Sequence, residues 1–347
     1  MAEGNEKIIK KGELFMMIKN LSRIAALVLL TGLVAFFMGC ALLGSKSTSD
    51  DVIFWDTSLL SNVTRITNDG ELKSIARISP DGTKLLYLEL TKPAFSTNIV
   101  LLRNPTVANK TVLVSGMNIF QPGWSDNSTN YYYVAIEDNS SRLIRSSVTG
   151  VGKTYVTRSE IGRSDSWPTG RGSLIACNTL QGDKSQIVTL RDNGTEVTFL
   201  GEGFQPSWHP TEEKIIFARP VSANDALTAI YEMDIKSGQV TEIYRDSKRY
   251  NCVQPSYSSD GRYILFQKGA QVVTTGVNRS KTVVKTDKQS KWQIFIMNAD
   301  GTGGLSALTG GLLDTTSPTM DADGWLYFIA DLGKNKTEIY RARIIME

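Results

Sequence analysis

Few residues of this chain are equipped for chemistry. One histidine, His209, stands in Trp208-His209-Pro210. A lone imidazole can move a proton or serve a Ser-His-Asp triad, but it cannot build a multi-histidine metal centre. No Gly-x-Ser-x-Gly nucleophile elbow accompanies it. His209 falls where other parts of the chain carry Ser79, Ser125 or Ser258, so it reads as a variant of a turn. Three cysteines, Cys40, Cys177 and Cys252, are too few and too widely spaced for a disulfide framework or a zinc site. Cys177 ends the apolar run Leu174-Ile175-Ala176-Cys177 and reads as a small buried hydrophobe. A Cys177–Cys252 bridge stays open in an oxidising compartment. The turns Asp300-Gly301 and Asp321-Ala322-Asp323-Gly324 lack the spacing and closing glutamate of a calcium loop, and hairpin geometry accounts for them. Tyr131-Tyr132-Tyr133 reads as the alternating faces of a core strand rather than a binding platform. The expectation is no catalytic constellation, no metal and no cofactor.

Two segments carry more pointed signals. Lys19 and Arg23 precede an apolar run from Ile24 to Met38 that ends at Gly39-Cys40. Basic residues, a short apolar stretch and a small residue are the layout of a secretory signal, and the run is short of the ~20 residues that span a bilayer. Phe37-Met38-Gly39-Cys40 resembles a bacterial lipobox, which makes Cys40 the lipid attachment site. Residues 1–39 are then a signal peptide, with the true start at Met16 or Met17, and 40–51 a lipidated flexible tether, Gly44-Ser45-Lys46-Ser47-Thr48 being typical of one. The second segment runs from Gly269 to Lys291. It holds Arg279, Lys281, Lys285, Lys288 and Lys291 against Asp287 alone, and alternates in Val272-Val273-Thr274-Thr275 and Lys281-Thr282-Val283-Val284. It reads as a solvated loop or an extended β-hairpin, with Arg279, Lys281, Lys285 and Lys288 available to a partner.

The elements that position these residues come in a repeat. Six short strands end on a bulky pivot, read as Ile78, Trp124, Trp167, Trp208, Tyr257 and Met320, at spacings of 46, 43, 41, 49 and 63 residues. The lead-ins are alike: Gln121-Pro122-Gly123-Trp124, Gln205-Pro206-Ser207-Trp208, Gln254-Pro255-Ser256-Tyr257, Ser317-Pro318-Thr319-Met320. Proline lacks an N–H and suits an inner edge strand. A second strand, apolar on both faces, follows each pivot (Leu85–Leu88, Ile215–Ala218, Tyr263–Phe266), as stacked blades require. A third apolar strand ends in Asp/Asn/Gly turns, and a fourth is polar and alternating. No stretch after Asp51 has helical periodicity. A period of this length is that of a four-stranded propeller blade. The sixth unit lacks an outer strand, and Asn62–Asp69 has the outer-strand pattern without a blade. Pairing the two closes a six-bladed all-β propeller over residues 52–347, with the insert at 269–291, and leaves no open edge.

Composition is consistent with this. At 41% apolar and 21% charged residues the chain can bury a large core. A net charge of +3 from 38 basic and 35 acidic residues argues for neither nucleic acid nor an anionic bilayer as the main partner.

Ser79-Pro80-Asp81-Gly82-Thr83-Lys84-Leu85, Gln254–Phe266 and Ile294–Gly301 with Leu308-Thr309 resemble the repeat of the TolB-type (WD40-like, PD40) propellers. The resemblance covers about residues 62–344 and is degraded in units two and three. It is to the propeller alone: between Cys40 and Asn62 there is no room for the α/β domain that TolB carries, so TolB's dealings with the Pal lipoprotein and the Tol system are not implied. A single histidine weighs against the oligogalacturonate lyases that use related propellers, and the α/β domain that carries the triad of prolyl-oligopeptidase-type enzymes is missing. The reading is a non-catalytic, monomeric binding or scaffolding lipoprotein of the bacterial envelope, anchored to the outer or cytoplasmic membrane with its propeller facing periplasm or exterior, and recognising a protein or glycan. The competing reading is a polysaccharide-active lyase or hydrolase with its site in the propeller channel.

Overall fold

Strands make up all the regular structure among the residues described by the computed structural model. These are residues 59–345, apart from 92–95, 107–108, 138–139, 158–163, 223–224, 279–280 and 287–289, with backbone alone over 273–278 and 281–286. Cys40, Arg279 and Lys288 therefore lie outside the described residues. The chain enters on β1 (Leu60–Arg65) and builds blade 1 from β2 (Leu72–Ile78), β3 (Leu85–Thr91), β4 (Ser96–Leu102) and β5 (Lys110–Gly116). Blade 2 is β6 (Ile119–Trp124), β7 (Asn130–Glu137), β8 (Ser140–Ser147) and β9 (Lys153–Tyr155). Blade 3 is β10 (Ser166–Arg171), β11 (Leu174–Gln181), β12 (Lys184–Arg191) and β13 (Thr198–Glu202). Blade 4 is β14 (Phe204–Trp208), β15 (Lys214–Pro220), β16 (Thr228–Asp234) and β17 (Val240–Tyr244). Blade 5 takes β18 (Tyr250–Tyr257), β19 (Tyr263–Asn278), β21 (Gln293–Asn298) and β22 (Ser306–Ala307), with β20 (Lys281–Thr286) paired to β19. Blade 6 is β23 (Thr315–Met320), β24 (Trp325–Gly333) and β25 (Lys336–Ile344), completed by β1.

The second strands are apolar throughout because both of their faces are covered. In β3, Leu85 and Tyr87 pack with Tyr327, Ile329 and Ile339 of blade 6, while Leu86 and Leu88 pack with Ile119, Trp124 and Tyr131 of blade 2. Tyr131, Tyr132 and Tyr133 are all buried, as alternating faces of a core strand should be. The insert is the extended hairpin: β19 continues past the blade and turns back as β20, pairing Val272 with Thr286 and Asn278 with Lys281.

Closure follows the expected route. β1 pairs antiparallel with β25, Leu60 opposite Ile344 and Arg65 opposite Tyr340. The seam holds a charge cluster with no sequence signature. Glu338 is fully buried; its Oε1 accepts from Arg65 (3.1 Å) and the Gly70 N–H (3.0 Å), and its Oε2 accepts from Thr67 (2.5 Å). Lys73 of β2, also fully buried, lies 3.2 Å from Glu338 Oε2 and pairs with Asp69. Lys110 bridges Asp69 (2.9 Å) to the buried Glu89 (3.0 Å). Three cations and three carboxylates thus balance where blade 6 meets blade 1. Burial pushes the Asp69 carboxyl up, but hydrogen bonds from Lys73 and Lys110 and the Lys73 charge outweigh it and hold it at about 2.

Strand register corrects one pivot. In five blades the first strand pairs, bulges by two residues, and pairs again up to the pivot, as Phe204↔Ala218, Ser207↔Ile216 and Trp208↔Ile215 show. In β10 the same steps are Ser166↔Asn178, Thr169↔Ala176 and Gly170↔Ile175. Gly170, not Trp167, is therefore the third pivot. Trp167-Pro168-Thr169-Gly170 matches Gln121-Pro122-Gly123-Trp124 position for position, and the bulky residue misled the alignment by standing in the first place of the motif.

Candidate functional site

Each inner strand carries its bulge on one residue with positive φ: Ile75 (55°), Gln121 (51°), Trp167 (56°), Gln205 (57°), Gln254 (51°) and Ser317 (56°). Left-handed backbone at a non-glycine residue costs about 1–2 kcal/mol, so the surroundings must hold it. They do so by side-chain latches between blades. Trp167 N–H donates to Gln121 Oε1 (3.1 Å), Gln205 N–H to Asn178 Oδ1 (3.1 Å), Gln254 N–H to Gln205 Oε1 (2.8 Å) and Ser317 N–H to Gln267 Oε1 (3.1 Å). The acceptor comes from one of two places. Where the second strand carries an amide opposite the residue before the bulge (Asn178, Gln267), that amide accepts. Where that position is Val134 or Ala218, the bulge glutamine of the same blade accepts instead. At the seam the proline is replaced by Ala76, and its N–H donates to Ser317 Oγ (2.9 Å).

The bulges aim the ends of the six inner strands into one cavity of about 220 Å³ at the end of the channel where the pivots lie. Trp124, Trp167, Trp208, Tyr257 and Met320 line it, backed by Pro122, Pro168, Pro206 and Pro255. Two arginines stand among them. Arg77 occupies the position before the pivot, where the other blades have Gly123, Thr169, Ser207, Ser256 and Thr319. Arg171 occupies the position after the pivot, where the others have Ser79, Ser125, His209, Ser258 and Asp321. The Arg77 guanidinium lies over the Trp167 ring (5.5 Å) and donates to Ala76 O (2.9 Å) and Ser317 Oγ (3.1 Å). Arg171 lies over Trp208 (5.7 Å) and donates to Thr211 O (2.7 Å). Among the described residues neither has a carboxylate within ion-pair distance. Burial lowers Arg77 to about 10, so it stays cationic at neutral pH. Among the described residues of the lining Asp126 is the one carboxylate, and its Oδ2 accepts from the Gly172 N–H (2.6 Å).

Gly170 is small for a packing reason. A Cβ there would sit 2.6 Å from the Tyr132 ring and 3.2 Å from Trp124 O, so blade 2 already fills the space a bulky pivot would take. Trp167, displaced to the bulge, restores the aromatic surface.

His209 behaves as a turn residue. Its N–H donates to Lys214 O (2.9 Å), as those of Ser79 and Ser258 do to Lys84 O and Tyr263 O. Its Nδ1 accepts from the N–H groups of Glu212 (2.9 Å) and Thr211 (3.3 Å), so the proton of the neutral ring is on Nε2. Burial lowers its pKa, and the ring packs edge-on against Tyr257 at 4.7 Å. Ser79, Ser125 and Ser258 cap their turns through Oγ instead.

The basic insert is not part of this cavity. Second strands run away from the pivots, so a hairpin extending β19 leaves from the opposite end of the ring. Lys281 and Lys285 lie there on β20, opposite Asn278 and Val273. Cys177 and Cys252 are buried in separate packing clusters and are not bridged to each other; burial, more than the nearby Asp246, raises Cys252 to about 12. Among the described residues no group of three His, Cys, Asp or Glu side chains is placed to hold a metal. Sequence reasoning missed Arg77 and Arg171. Their signal was available: each breaks the repeat at a position that is otherwise small or turn-capping.

No family model matches the chain, and no curated protein matches it. Solved structures do. A putative TolB from Agrobacterium tumefaciens aligns at 18% identity and a TM-score of 0.50, over 64% of this chain and 74% of that one. TolB from Acinetobacter baumannii aligns at 16% and 0.52, over 76% of this chain and 64% of its own, so this chain spans less than two thirds of it. Oligogalacturonate lyase from Vibrio parahaemolyticus aligns at 12% and 0.53, over 84% and 96%. What these proteins share with the chain is the fold, the six-bladed propeller.

Proposed function

We propose that this chain is a non-catalytic binding or scaffolding propeller of the bacterial envelope, held to a membrane by lipid on Cys40, and that it grips an envelope protein or glycan at the pivot end of its channel. One observation carries the reading: two guanidinium groups without carboxylate partners among the described residues, each laid over an indole, at the mouth of a cavity walled by proline-backed strands. Such groups bind anionic and planar partners by forked hydrogen bonds and stacking. The envelope setting rests on the signal-like segment ahead of Cys40 and on the likeness in fold to TolB. The lyase or hydrolase reading has less support. Glycoside hydrolysis uses paired carboxylates, and the lining offers Asp126, engaged with a backbone N–H.

The test is in-cell crosslinking and mass spectrometry of the wild type against Arg77→Glu with Arg171→Glu. Loss of the captured partner is expected; an unchanged set of crosslinked proteins and glycans would exclude the channel mouth. Incorporation of an alkynyl fatty acid into the wild type and not into Cys40→Ser checks the anchor. The basic arm around Lys281 and Lys285 is a second contact on the opposite face, and deletion of 270–290 removes it. A captured partner retained with unchanged affinity after that deletion would set the arm aside.

A further inference from the structure

We propose that the channel mouth takes the free C-terminal end of a polypeptide, its carboxylate held by Arg77 and Arg171 and its last side chain against the aromatic and proline wall. The inference rests on the channel mouth being a binding site, and adds which partner class, protein rather than glycan, that site is built for. Three observations support it.

The first is which hydrogen bonds the mouth leaves unmade. Arg77 spends both Nη1 hydrogens, on Ala76 O (2.9 Å) and Ser317 Oγ (3.1 Å), so its forked Nε–Nη2 edge is uncommitted among the described residues. Arg171 spends one Nη2 hydrogen, on Thr211 O (2.7 Å). Two lining side chains keep a buried polar atom without a partner among the described residues, and both atoms are donors. They are the indole N–H groups of Trp167 and Trp208, residues 5% and 7% exposed. Trp124 shows the satisfied case, its Nε1 donating to Arg77 O at 2.9 Å. What the mouth lacks is an acceptor-only group, and a carboxylate is one that fits a guanidinium fork. A sugar end would add hydroxyl donors in need of acceptors, while Asp126 already holds the Gly172 N–H.

The second is the wall. Trp124, Trp208, Tyr257 and Met320 offer apolar surface beside the two cations, which a bare anion such as phosphate would leave unused. The third is shape. Six blades enclose the cavity on its sides, and none of the residues just before the bulges (Ser74, Phe120, Ser166, Phe204, Val253, Thr316) lines it, so it closes at the bulges. A chain that enters must end there or double back. At about 220 Å³ the cavity is smaller than the ~300–1,000 Å³ of a usual ligand site, which suits one terminal residue better than a loop.

The test uses the full chain and fluorescein-labelled hexapeptides, read by anisotropy. The set ends in Ala, Val, Leu, Phe or Trp, and each peptide is made with a free carboxylate and with a terminal amide. At least one free acid should bind, and its amide should bind on the order of 10–100-fold more weakly, because the amide loses the charged hydrogen bonds. Arg171→Gln, which gives up only the Thr211 O contact and the Trp208 face, should weaken the free acid by a similar factor. Arg77→Gln should do the same, with thermal melting as the check on folding. Equal binding of acid and amide overturns the inference, as does no binding by any peptide of the set, or binding unchanged in a folded Arg171→Gln protein. Displacement of the peptide by glucuronic acid or phenyl phosphate at lower concentration than by N-acetylphenylalanine would assign the mouth to a glycan or a phosphate, and overturn it too. If the crosslinked partner is lost in the arginine variants but no free acid binds, the binding site stands and its ligand class falls.

Discussion

Replacing Glu338 by Gln tests whether the ring is held shut by the buried charge cluster. Glu338 accepts hydrogen bonds from Arg65, Gly70 and Thr67, forms an ion pair with Lys73 at 3.2 Å, and is inaccessible to water. Glutamine keeps the shape but removes the charge, and turns one acceptor into an NH₂ that must face a donor. Lys73 then stays buried with Asp69 as its remaining carboxylate. Breaking a buried pair by removing one partner costs about 3–5 kcal/mol. The surviving amide oxygen places Glu338→Gln near the low end, about 3 kcal/mol. For a domain of this size that is a fall in Tm of roughly 5–10 °C. Denaturant unfolding followed by circular dichroism reads the loss, and hydrogen exchange should place the new opening in β1 and β25. High salt should leave the difference intact, because buried charges are poorly screened. Arg191→Gln removes the exposed Arg191–Glu196 pair and should change stability by less than about 0.5 kcal/mol. The reasoning fails if Glu338→Gln costs no more than that control, or if its cost disappears in salt.

Four further outcomes follow from the same structure. Asp69 is held at about 2 in the folded chain, below the ~3.9 of an unfolded aspartate, so its contribution is present above pH 4 and lost as pH falls through 2; Asp69→Asn should flatten the acid limb of the stability curve in that window. Gln267→Leu orphans the Ser317 N–H and should cost about 1–3 kcal/mol. Gln254→Leu should be near neutral in the same unfolding assay, because Gln254 Oε1 is buried without a donor among the described residues. Gly170→Trp, which restores the repeat on paper, should destabilise by more than about 1–3 kcal/mol, since even a Cβ meets the Tyr132 ring.

The repeat made the architecture legible because each blade states its own boundaries: a proline at the inner edge, an apolar second strand buried on both faces, an Asx or Gly turn after the third. Ring closure was legible too, since a missing outer strand at one end and a surplus one at the other can only be joined. The seam cluster was not. Lys73, Glu89, Glu338 and Asp69 are ordinary polar residues in sequence, and only the pairing of β1 with β25 brings residues some 270 positions apart into contact. The third pivot was misplaced because a tryptophan carries more visual weight than a glycine. Strand register, which sequence does not print, decides between them. His209 was read correctly as a turn residue because the repeat supplied its equivalents.

The weakest matches to the repeat are also where the channel mouth acquires its character. Asp126 comes from unit two and Trp167 and Arg171 from unit three, the two units in which the Ser-Pro-Asp-Gly turn is degraded. Arg77 comes from a unit that otherwise keeps the pattern, yet it replaces a residue that is small in all five other blades. A strict copy of the repeat would place a small residue at Arg77 and a serine-like turn residue at Arg171, as the other blades do. Sequences that break their own local rule tend to do so where function asks for it. Arg77 and Arg171 break it at two different positions and still arrive at one cavity, each over an indole. Substituting Arg77→Ser and Arg171→Ser, which brings both positions into line with the repeat, should therefore keep the fold and lose the partner, measured by melting temperature and by crosslinking yield in the same cells. Retention of the partner by a folded double variant would make the two arginines incidental to the site.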